Sequence, residues 1–260
     1  MRVIAFLNQK GGVGKTTTAV NVGIGLVRLG RSVVLADLDP QGHLTRSLGA
    51  EPGGGALYEL MKGSRMLRET LVPVEGAWLV PASLELSGAD TEFATRPGKE
   101  RLVAQALSPL SGLTGLSAGA EGAGADALIL DCPPNLGLLT VNALALAGEV
   151  VIPVQAEYLA LASLGGLMDT LEAARSFNPG LRILGIVLTR YNHRKRLCRE
   201  VAGAIRAHFP DLLLETRVRE SVALAEAPGF GQSIFAYAPK SQGALDFKNL
   251  SREIDAWRTA

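Results

Sequence analysis

The fold of this 260-residue chain is decided at residues 10–17, which read Lys10-Gly11-Gly12-Val13-Gly14-Lys15-Thr16-Thr17. They follow an apolar, β-branched run at residues 3–7 and precede residues 17–29, in which apolar side chains recur at helical spacing. The three glycines allow the backbone to curl so that successive N–H groups face one anion, and the helix behind them adds its dipole. The sequence therefore predicts a phosphate-binding loop between the first strand and the first helix.

Two lysines and a threonine give this loop its chemistry. Lys15 can reach the outer phosphates of a nucleotide, and the Thr16 hydroxyl is placed to ligate Mg²⁺. The usual pattern for such loops begins with glycine where this chain has Gln9, and a second lysine, Lys10, follows that position. The predicted nucleotide contacts are Lys10, Gly11, Gly12, Val13, Gly14, Lys15, Thr16 and Thr17.

Carboxylates follow two further predicted strands. Asp37 and Asp39 follow the run at residues 32–36, and Asp131 ends the apolar run at residues 127–130. Ligands of parallel sheets bind at the carboxyl ends of the strands, so we expect these acids near the phosphate loop. We predict that Asp39 orients or deprotonates the attacking water, although Asp37 and Asp39 also fit an ordinary capped turn. The predicted magnesium ligands, direct or through water, are Thr16, Asp37, Asp39 and Asp131.

Composition limits the class of protein. Because 47% of the residues are hydrophobic, the chain can form a substantial core, which excludes a disordered protein. No run reaches the ~18 apolar residues of a membrane-spanning helix, and the N-terminus lacks the form of a secretory signal. Two cysteines, Cys132 and Cys198, are too few for a disulfide framework, which indicates a reducing cytoplasm. With a net charge of +1, any affinity for nucleic acid must come from local clusters.

Short apolar runs alternate with longer helical patterns, which is typical of a parallel sheet covered on both faces. We predict an α/β fold, one P-loop NTPase domain over residues 1–260, with a mostly parallel central sheet and helices on both faces. Residues 51–55 predict a flexible turn, and the Gly/Ala-rich residues 108–126 predict a flexible surface loop. The remaining predicted elements are strands at residues 150–154 and 183–188 and a helix at residues 158–175.

Five colinear motifs resemble one family over nearly the whole chain. They lie at residues 8–21 (NQKGGVGKTTTAVN), 37–45 (DLDPQGHLT), 129–144 (ILDCPPNLGLLTVNAL), 151–161 (VIPVQAEYLAL) and 223–234 (ALAEAPGFGQSI). They are similar to the ParA/Soj partition ATPases of the ParA/MinD superfamily, which carry a deviant Walker A motif with an additional lysine. The resemblance implies ATP and Mg²⁺ as cofactors, and a homodimer of two domains that face each other with two ATP molecules between them.

In that family the additional lysine crosses to the nucleotide of the partner subunit. The resemblance gives this role to Lys10 and implies that Lys10, Lys15 and Asp39 are catalytic. It also places Lys10, Gly11 and Gly12 at the dimer interface, where a side chain at Gly12 would obstruct dimerisation. By family position, the candidate adenine contacts are Arg190, Asn192 and residues 217–220, and His43 stands where the family commonly has asparagine.

A basic stripe is predicted on the helix that follows residue 188. Projected at 100° per residue, Lys195, Arg199 and Arg206 fall within about 40° of one another. Such a stripe can bind the phosphate backbone of DNA without reading its sequence, although most charged helix faces are simply solvated. The opposite side, expected to pack, holds Leu197, Val201, Ile205 and His208. With the family resemblance, the predicted DNA contacts are Arg190, Arg194, Lys195, Arg199, Arg206, Arg219 and Lys248, extended by Lys240 and Arg252.

The last helical pattern carries Phe247, Leu250, Ile254 and Trp257 at spacings of three, four and three. This spacing predicts packing on the core rather than a membrane-binding tail. We therefore expect a cytoplasmic, nucleoid-associated protein without stable membrane association.

The combined prediction is a slow, partner-stimulated ATPase that acts as a dimer switch. ATP would close the dimer, the dimer would hold double-stranded DNA non-specifically, and a ParB-type protein would stimulate hydrolysis during chromosome or plasmid partition. Three alternatives stay open. They are an orphan ATPase that positions a protein cargo, a MinD-like membrane-cycling regulator, and a metabolic P-loop enzyme related to dethiobiotin synthetase that would not need Lys10.

Overall fold

The computed structural model describes residues 1–51, 56–111 and 124–257. Within these ranges, seven strands form a sheet in the order β3-β4-β2-β5-β1-β6-β7, and only the β3–β4 pair is antiparallel. The strands are β1 Arg2–Phe6, β2 Val33–Asp37, β3 Val72–Val74, β4 Ala77–Val80, β5 Ala127–Asp131, β6 Glu149–Gln155 and β7 Arg182–Thr189. The mostly parallel sheet of the predicted α/β fold is confirmed.

Helices cover both faces of this sheet. They are α1 Lys15–Arg28, α2 His43–Ser47, α3 Ala56–Lys62, α4 Ala89–Glu92, α5 Leu102–Leu107, α6 Leu138–Leu146, α7 Ala160–Ala174, α8 Arg196–His208, α9 Val222–Glu226, α10 Ile234–Tyr237 and α11 Gln242–Ala256. One core lies under α1 and α11, and the other lies under α5, α6, α7 and α8. The predicted strand and helix boundaries agree with these within about two residues.

The central strands are apolar along their whole length because both of their faces are covered. Every residue of β2 and β5 is buried. These two strands are neighbours in parallel register, so that Asp37 and Asp131 lie side by side where the strands end. The strand β1 lies between β5 and β6 and leads into the phosphate loop at the same edge. The fold therefore brings the three predicted motifs together.

A hairpin at one edge of the sheet was not predicted. Its strands β3 and β4 are three and four residues long and are joined by Glu75 and Gly76, both with positive φ. A two-residue turn of this kind matches the twist of the strands that it joins. The Glu75 carboxylate accepts hydrogen bonds from the backbone N–H of Ser233 (2.7 Å) and from its hydroxyl (2.5 Å). This contact ties the hairpin to the segment before α10.

Two predictions about the packing of helical side chains are wrong in part. On α8 the buried residues are Cys198, Val201, Ala202 and Ile205. Leu197 is 45% exposed because it lies in the first turn, to one side of this seam, and His208 is exposed at the end of the helix. Phe247, Leu250 and Ile254 are fully buried as expected, but Trp257 is 45% exposed because α11 ends at Ala256, before the stripe reaches it.

The predicted loop at residues 108–126 is wrong at its start. Residues Ser108–Ser111 form a 3₁₀ turn in which Leu110 is fully buried. At the other end, the Asp126 carboxylate accepts a hydrogen bond from the Ser32 N–H at 2.9 Å. Residues 112–123, and residues 52–55 of the predicted flexible turn, lie outside the described residues. No helix in the described ranges is long and apolar enough to cross a bilayer.

Candidate active site

The loop between β1 and α1 has the shape that its glycines predict. Gly12 and Gly14 have φ values of 76° and 85°, a region that favours glycine, and Gly14 directly precedes the first residue of α1. The Thr189 hydroxyl, at the end of β7, donates to the Val13 carbonyl at 2.8 Å, and the Thr18 hydroxyl donates to the Gly14 carbonyl at 2.6 Å. The loop is therefore fixed from both sides.

Two cavities meet at this loop, with Gly12, Gly14 and Thr17 in the wall of both. The larger has a volume of about 910 Å³, and its wall includes Gly11, Lys15, Thr16, Asp39, Pro40, Pro133 and Asn135. The smaller, of about 500 Å³, is lined in part by Thr18, Thr189, Arg190, Val218, Glu220 and Val222. A ligand whose phosphates bind to the loop can therefore extend into the larger cavity on one side of it and into the smaller cavity on the other.

Lys15 is the buried cation of the larger cavity. Lys15 is the first residue of α1 and is only 8% exposed. Its Nζ donates a hydrogen bond to the Lys10 carbonyl at 3.3 Å. Burial lowers the pKa of Lys15, and the negative charges of Asp131 and Asp39 oppose that shift. A cation held with so little compensation is suited to attract the phosphates of a ligand.

The two aspartates after β2 differ in their surroundings. Asp39 lines the larger cavity, and its Oδ1 accepts from the Gln41 N–H at 3.0 Å. Asp37 is fully buried behind the wall and accepts from the N–H (2.8 Å) and hydroxyl (2.7 Å) of Thr45 and from the Asp39 N–H (3.2 Å). Burial raises the pKa of Asp37 to about 6, against the effect of these hydrogen bonds. Its contacts hold the loop, and magnesium ligation by Asp37 stays a prediction.

Asp131 is fully buried, and within the described residues neither of its carboxylate oxygens accepts a well-formed hydrogen bond, although the Thr16 hydroxyl lies near them. Burial and the charge of Asp37 raise its pKa well above the usual value, whereas the Thr16 hydroxyl and the Lys15 charge oppose the shift. An unpaired buried carboxylate is costly, and a divalent cation is a partner that removes the cost. Asp131 and Thr16 therefore fit a magnesium site.

The magnesium site fits an ion shared with the ligand. No group of three His, Cys, Asp or Glu side chains in the described part of the chain is arranged to hold a metal ion by itself. Mg²⁺ is commonly bound by one or two protein groups together with the phosphates of a nucleotide.

Lys10 lies outside the cavity whose loop it begins. Its Nζ is 2.5 Å from the carboxylate of Glu157, just after β6, and both side chains are partly exposed. It is absent from the wall of the larger cavity, which Gly11 and Gly12 line. Apart from its chain neighbours, no atom of the described residues would lie within 4 Å of a Cβ atom at Gly11 or Gly12. The three predicted interface residues are therefore at the surface, with open space in front of the glycines.

Arg46 was missed as a residue of the site. It lies on α2, lines the larger cavity together with His43, and its guanidinium donates to the Gln41 carbonyl. Because the Gln41 N–H holds Asp39, Arg46 supports the turn that positions this aspartate. The spacing of His43 and Arg46, one helical turn apart directly after the aspartate motif, was the signal available in the sequence.

Several of the predicted DNA contacts are engaged by groups of the chain itself, and DNA binding by them stays a prediction. Lys195 pairs with Glu220 at 3.5 Å, Arg206 with Glu215 at 2.8 Å, and Arg219 with the buried Asp246. The Arg199 guanidinium donates to the carbonyls of His193 and Arg194, and Arg190 lines the smaller cavity. Lys248 lies apart on α11, in a groove against α1.

Comparison with known proteins agrees with this site. Residues 1–183 match the family model described as an AAA domain. The chromosome-partitioning ATPase Soj of Thermus thermophilus is 45% identical over 258 residues, which cover 98% of this chain and 96% of that protein. The chromosome partitioning protein ParA of Myxococcus xanthus is 39% identical, with 97% and 87% coverage.

A similar solved structure is that of cobyrinic acid a,c-diamide synthase from Mycobacterium smegmatis with bound ADP and magnesium. It is 34% identical, has a TM-score of 0.80, and the match covers 96% of this chain and 92% of that one. ADP and magnesium thus occupy a protein of this fold and sequence similarity. From its phosphate loop, its paired strand-end aspartates and these relatives, the chain belongs to the Soj/ParA family of chromosome-partitioning P-loop ATPases.

Proposed function

We propose that this protein is a Mg²⁺-dependent ATPase that dimerises on ATP binding, holds DNA non-specifically as the dimer, and drives chromosome or plasmid partition with a ParB-type partner. The observation that carries the proposal is the position of Lys10. This lysine belongs to the phosphate loop, but its ammonium group rests on Glu157 and not in its own cavity. A loop lysine with this position is available to the nucleotide of a second copy.

ATP binding follows from the two cavities. The N–H groups of the loop and the Lys15 ammonium bind the phosphates, and Thr16 and Asp131 hold Mg²⁺. The smaller cavity takes the base and ribose next to Arg190. When bound, Mg²⁺ neutralises charge on the phosphates during transfer.

In the proposed hydrolysis, Asp39 is the group that accepts a proton from the attacking water. A water oxygen bonds to the γ-phosphorus, the bond from that phosphorus to the bridging oxygen of ADP breaks, and Asp39 accepts the proton that the water loses. The Gln41 N–H and the Arg46 contact behind it hold the carboxylate in place. We expect Asp39→Ala to lower kcat by roughly 100-fold or more and to leave ATP binding intact.

The dimer switch is tested by sedimentation velocity with ATP, ADP or no nucleotide. The expected result is a dimer with ATP only, persistent in Asp39→Ala and lost in Lys10→Ala. A wild-type protein that stays monomeric with ATP would refute the switch. Binding to random-sequence duplex DNA in the same nucleotide states tests the DNA step, and ATP turnover with a ParB-type protein tests the partner.

The metabolic alternative has one supporting observation, the name of the M. smegmatis synthase with a similar structure. It predicts that ATP turnover depends on an added small-molecule acceptor and that Lys10→Ala leaves turnover unchanged. The partition proposal predicts that ATP turnover needs no small-molecule acceptor and that Lys10→Ala changes it.

A further inference from the structure

Asp246 is a buried carboxylate on α11 that lines neither nucleotide cavity. It accepts hydrogen bonds from the Arg219 backbone N–H at 2.9 Å, from the Arg219 Nε at 3.1 Å and from the Arg219 Nη2. The side-chain amide of Gln242, one turn earlier on α11, also donates to it at 3.2 Å. Asp246 therefore fixes both the main chain and the side chain of Arg219.

Arg219 lies in the wall of the smaller cavity, together with Val218 and Phe247. Phe247 follows Asp246 on α11, so this helix contributes one side chain to the wall directly and supports Arg219 with the other. The Val218 carbonyl accepts from the Tyr191 N–H at 3.0 Å, which joins the same segment to the end of β7. This part of the wall is therefore held from β7 on one side and from α11 on the other.

The Arg219 guanidinium has one engaged edge and one open edge. Its Nε and Nη2 face Asp246, whereas no described residue accepts a hydrogen bond from its Nη1. The Arg219 side chain is 42% exposed, against 2% for that of Asp246. A guanidinium held bidentately by a carboxylate has little freedom to rotate, so its remaining N–H groups have fixed directions. These N–H groups are donors available to a ligand.

Stability alone is a poor explanation for the burial of Asp246. Burying a carboxylate costs solvation free energy, and well-packed apolar residues of similar volume often stabilise a fold as well as a buried ion pair does. A second bidentate pair, Arg31 with Asp255, already joins α11 to the segment after α1, and it lines neither nucleotide cavity. The Asp246 pair is better explained by the position that it gives to Arg219.

We propose that Asp246 is a positioning residue of the nucleotide site and that Arg219, which it holds, donates hydrogen bonds to the base or ribose of the bound nucleotide. This inference rests on the proposed function, which places the base and ribose in the smaller cavity. Among residues 217–220, the candidate adenine contacts by family position, it selects Arg219. It also adds a residue of α11 that acts on the nucleotide without touching it.

The test measures the affinity for ADP by isothermal titration calorimetry, because ADP occupies the smaller cavity without requiring an ATP-dependent dimer. Asp246→Asn keeps the shape of the side chain and removes its charge. We expect this variant and Arg219→Gln each to bind ADP roughly tenfold more weakly, the worth of a charge-assisted hydrogen bond. Asp255→Asn is the matched control, since it opens the other bidentate pair of α11, and should change ADP affinity less than about twofold.

Three further readouts separate a positioning role from a general weakening of the fold. In the double variant of Asp246→Asn with Arg219→Gln the losses should not add, because Asp246 acts through Arg219. This double variant leaves no buried charge, so it also serves if Arg219→Gln, which leaves Asp246 without its partner, does not fold. The affinity for pyrophosphate with Mg²⁺, a ligand without base or ribose, should be unchanged. In ATP hydrolysis by Asp246→Asn, KM should rise while kcat is unchanged.

Wild-type ADP affinity in Asp246→Asn would overturn the inference and leave the proposed function standing. An equal loss of pyrophosphate affinity, or an equal loss of ADP affinity in Asp255→Asn, would overturn it as well. Additive losses in the double variant would mean that Asp246 does not act through Arg219. If the wild type itself binds neither ADP nor ATP, the inference and the proposed function both fail.

Discussion

Charge is compensated in opposite ways in the nucleotide cavity and on α8. At the larger cavity, Lys15 and the Asp131 behind it are buried and face each other's charge, and Lys15 makes a hydrogen bond only to the Lys10 carbonyl among the described residues. On α8, Lys195 and Arg206 are exposed to solvent and each has an acidic partner. Burying an uncompensated charge is costly, whereas an exposed ion pair contributes little, so the first arrangement indicates a ligand and the second does not. A buried cation with few contacts in the chain is therefore better evidence of a binding site than an exposed cation that has an acidic partner.

The largest expected effect is on the buried side of this comparison. Lys15→Ala should weaken ATP binding at least about 100-fold, because the phosphates lose a charge-assisted contact in a site largely shielded from water. Lys195→Ala is the matched control, an exposed lysine with an acidic partner, and should leave ATP affinity within about twofold. Titration with a fluorescent ATP analogue measures both. Equal losses of ATP affinity in the two variants would contradict the difference between the buried lysine and the exposed one.

The buried carboxylates give a pH dependence. The pKa of Asp37 is raised from 3.8 to about 6 in the folded protein, so the folded state holds this proton more tightly than the unfolded state. The contribution to stability is therefore fully present below about pH 4 and is lost as pH rises through about 6. It amounts to at most about 3 kcal/mol. Urea unfolding without nucleotide should show higher stability at pH 5 than at pH 8, with a smaller difference in Asp37→Asn. An equal difference in both proteins would contradict this cause.

The partly exposed pair of Lys10 and Glu157 lies between the two extremes. Glu157→Gln removes the acid that holds the Lys10 ammonium, so the ATP-bound dimer should form about two- to fivefold more tightly, the worth of an exposed ion pair. The control is Glu220→Gln, which removes the partner of Lys195 and should not affect dimerisation. Sedimentation equilibrium with ATP measures both constants. A weaker dimer in Glu157→Gln would mean that Glu157 itself contributes to the interface.

The smallest effect is expected from releasing the cations of α8. Glu215→Gln with Glu220→Gln leaves Arg206 and Lys195 without their acids and should raise DNA affinity no more than about threefold at low salt. A gain of tenfold or more would mean that these two cations are main contacts of the DNA.

The phosphate loop was predictable because its conformation depends on neighbouring residues. Positive φ at Gly12 and Gly14 and a helix that starts at Lys15 are local properties of the chain. The side-by-side position of Asp37 and Asp131 was expected only in general terms, because it depends on which strands are neighbours.

The helical projection of α8 was incomplete for a different reason. It gave the directions of Lys195 and Arg206 on their own helix but held no information on Glu215 and Glu220, which come from the following segment. The same limit explains the edge hairpin and Leu110. Strands of three or four residues give too little periodicity to detect, and an apolar residue in a Gly/Ala-rich stretch does not reveal the core that receives it.

The strand order has a consequence for biosynthesis. The strand β1 is translated first, but its two neighbours, β5 and β6, end only at residues 131 and 155. At about 5–20 residues per second, the apolar residues Ile4 and Phe6 wait roughly 6–30 s for the strands that will cover them. During that interval the phosphate loop has no Asp131 behind it, so ATP cannot stabilise the growing chain. A nucleotide whose binding depends on Asp131 can therefore stabilise the chain only after about half of it has been made, and until then the nascent chain depends on chaperones or on its own collapse.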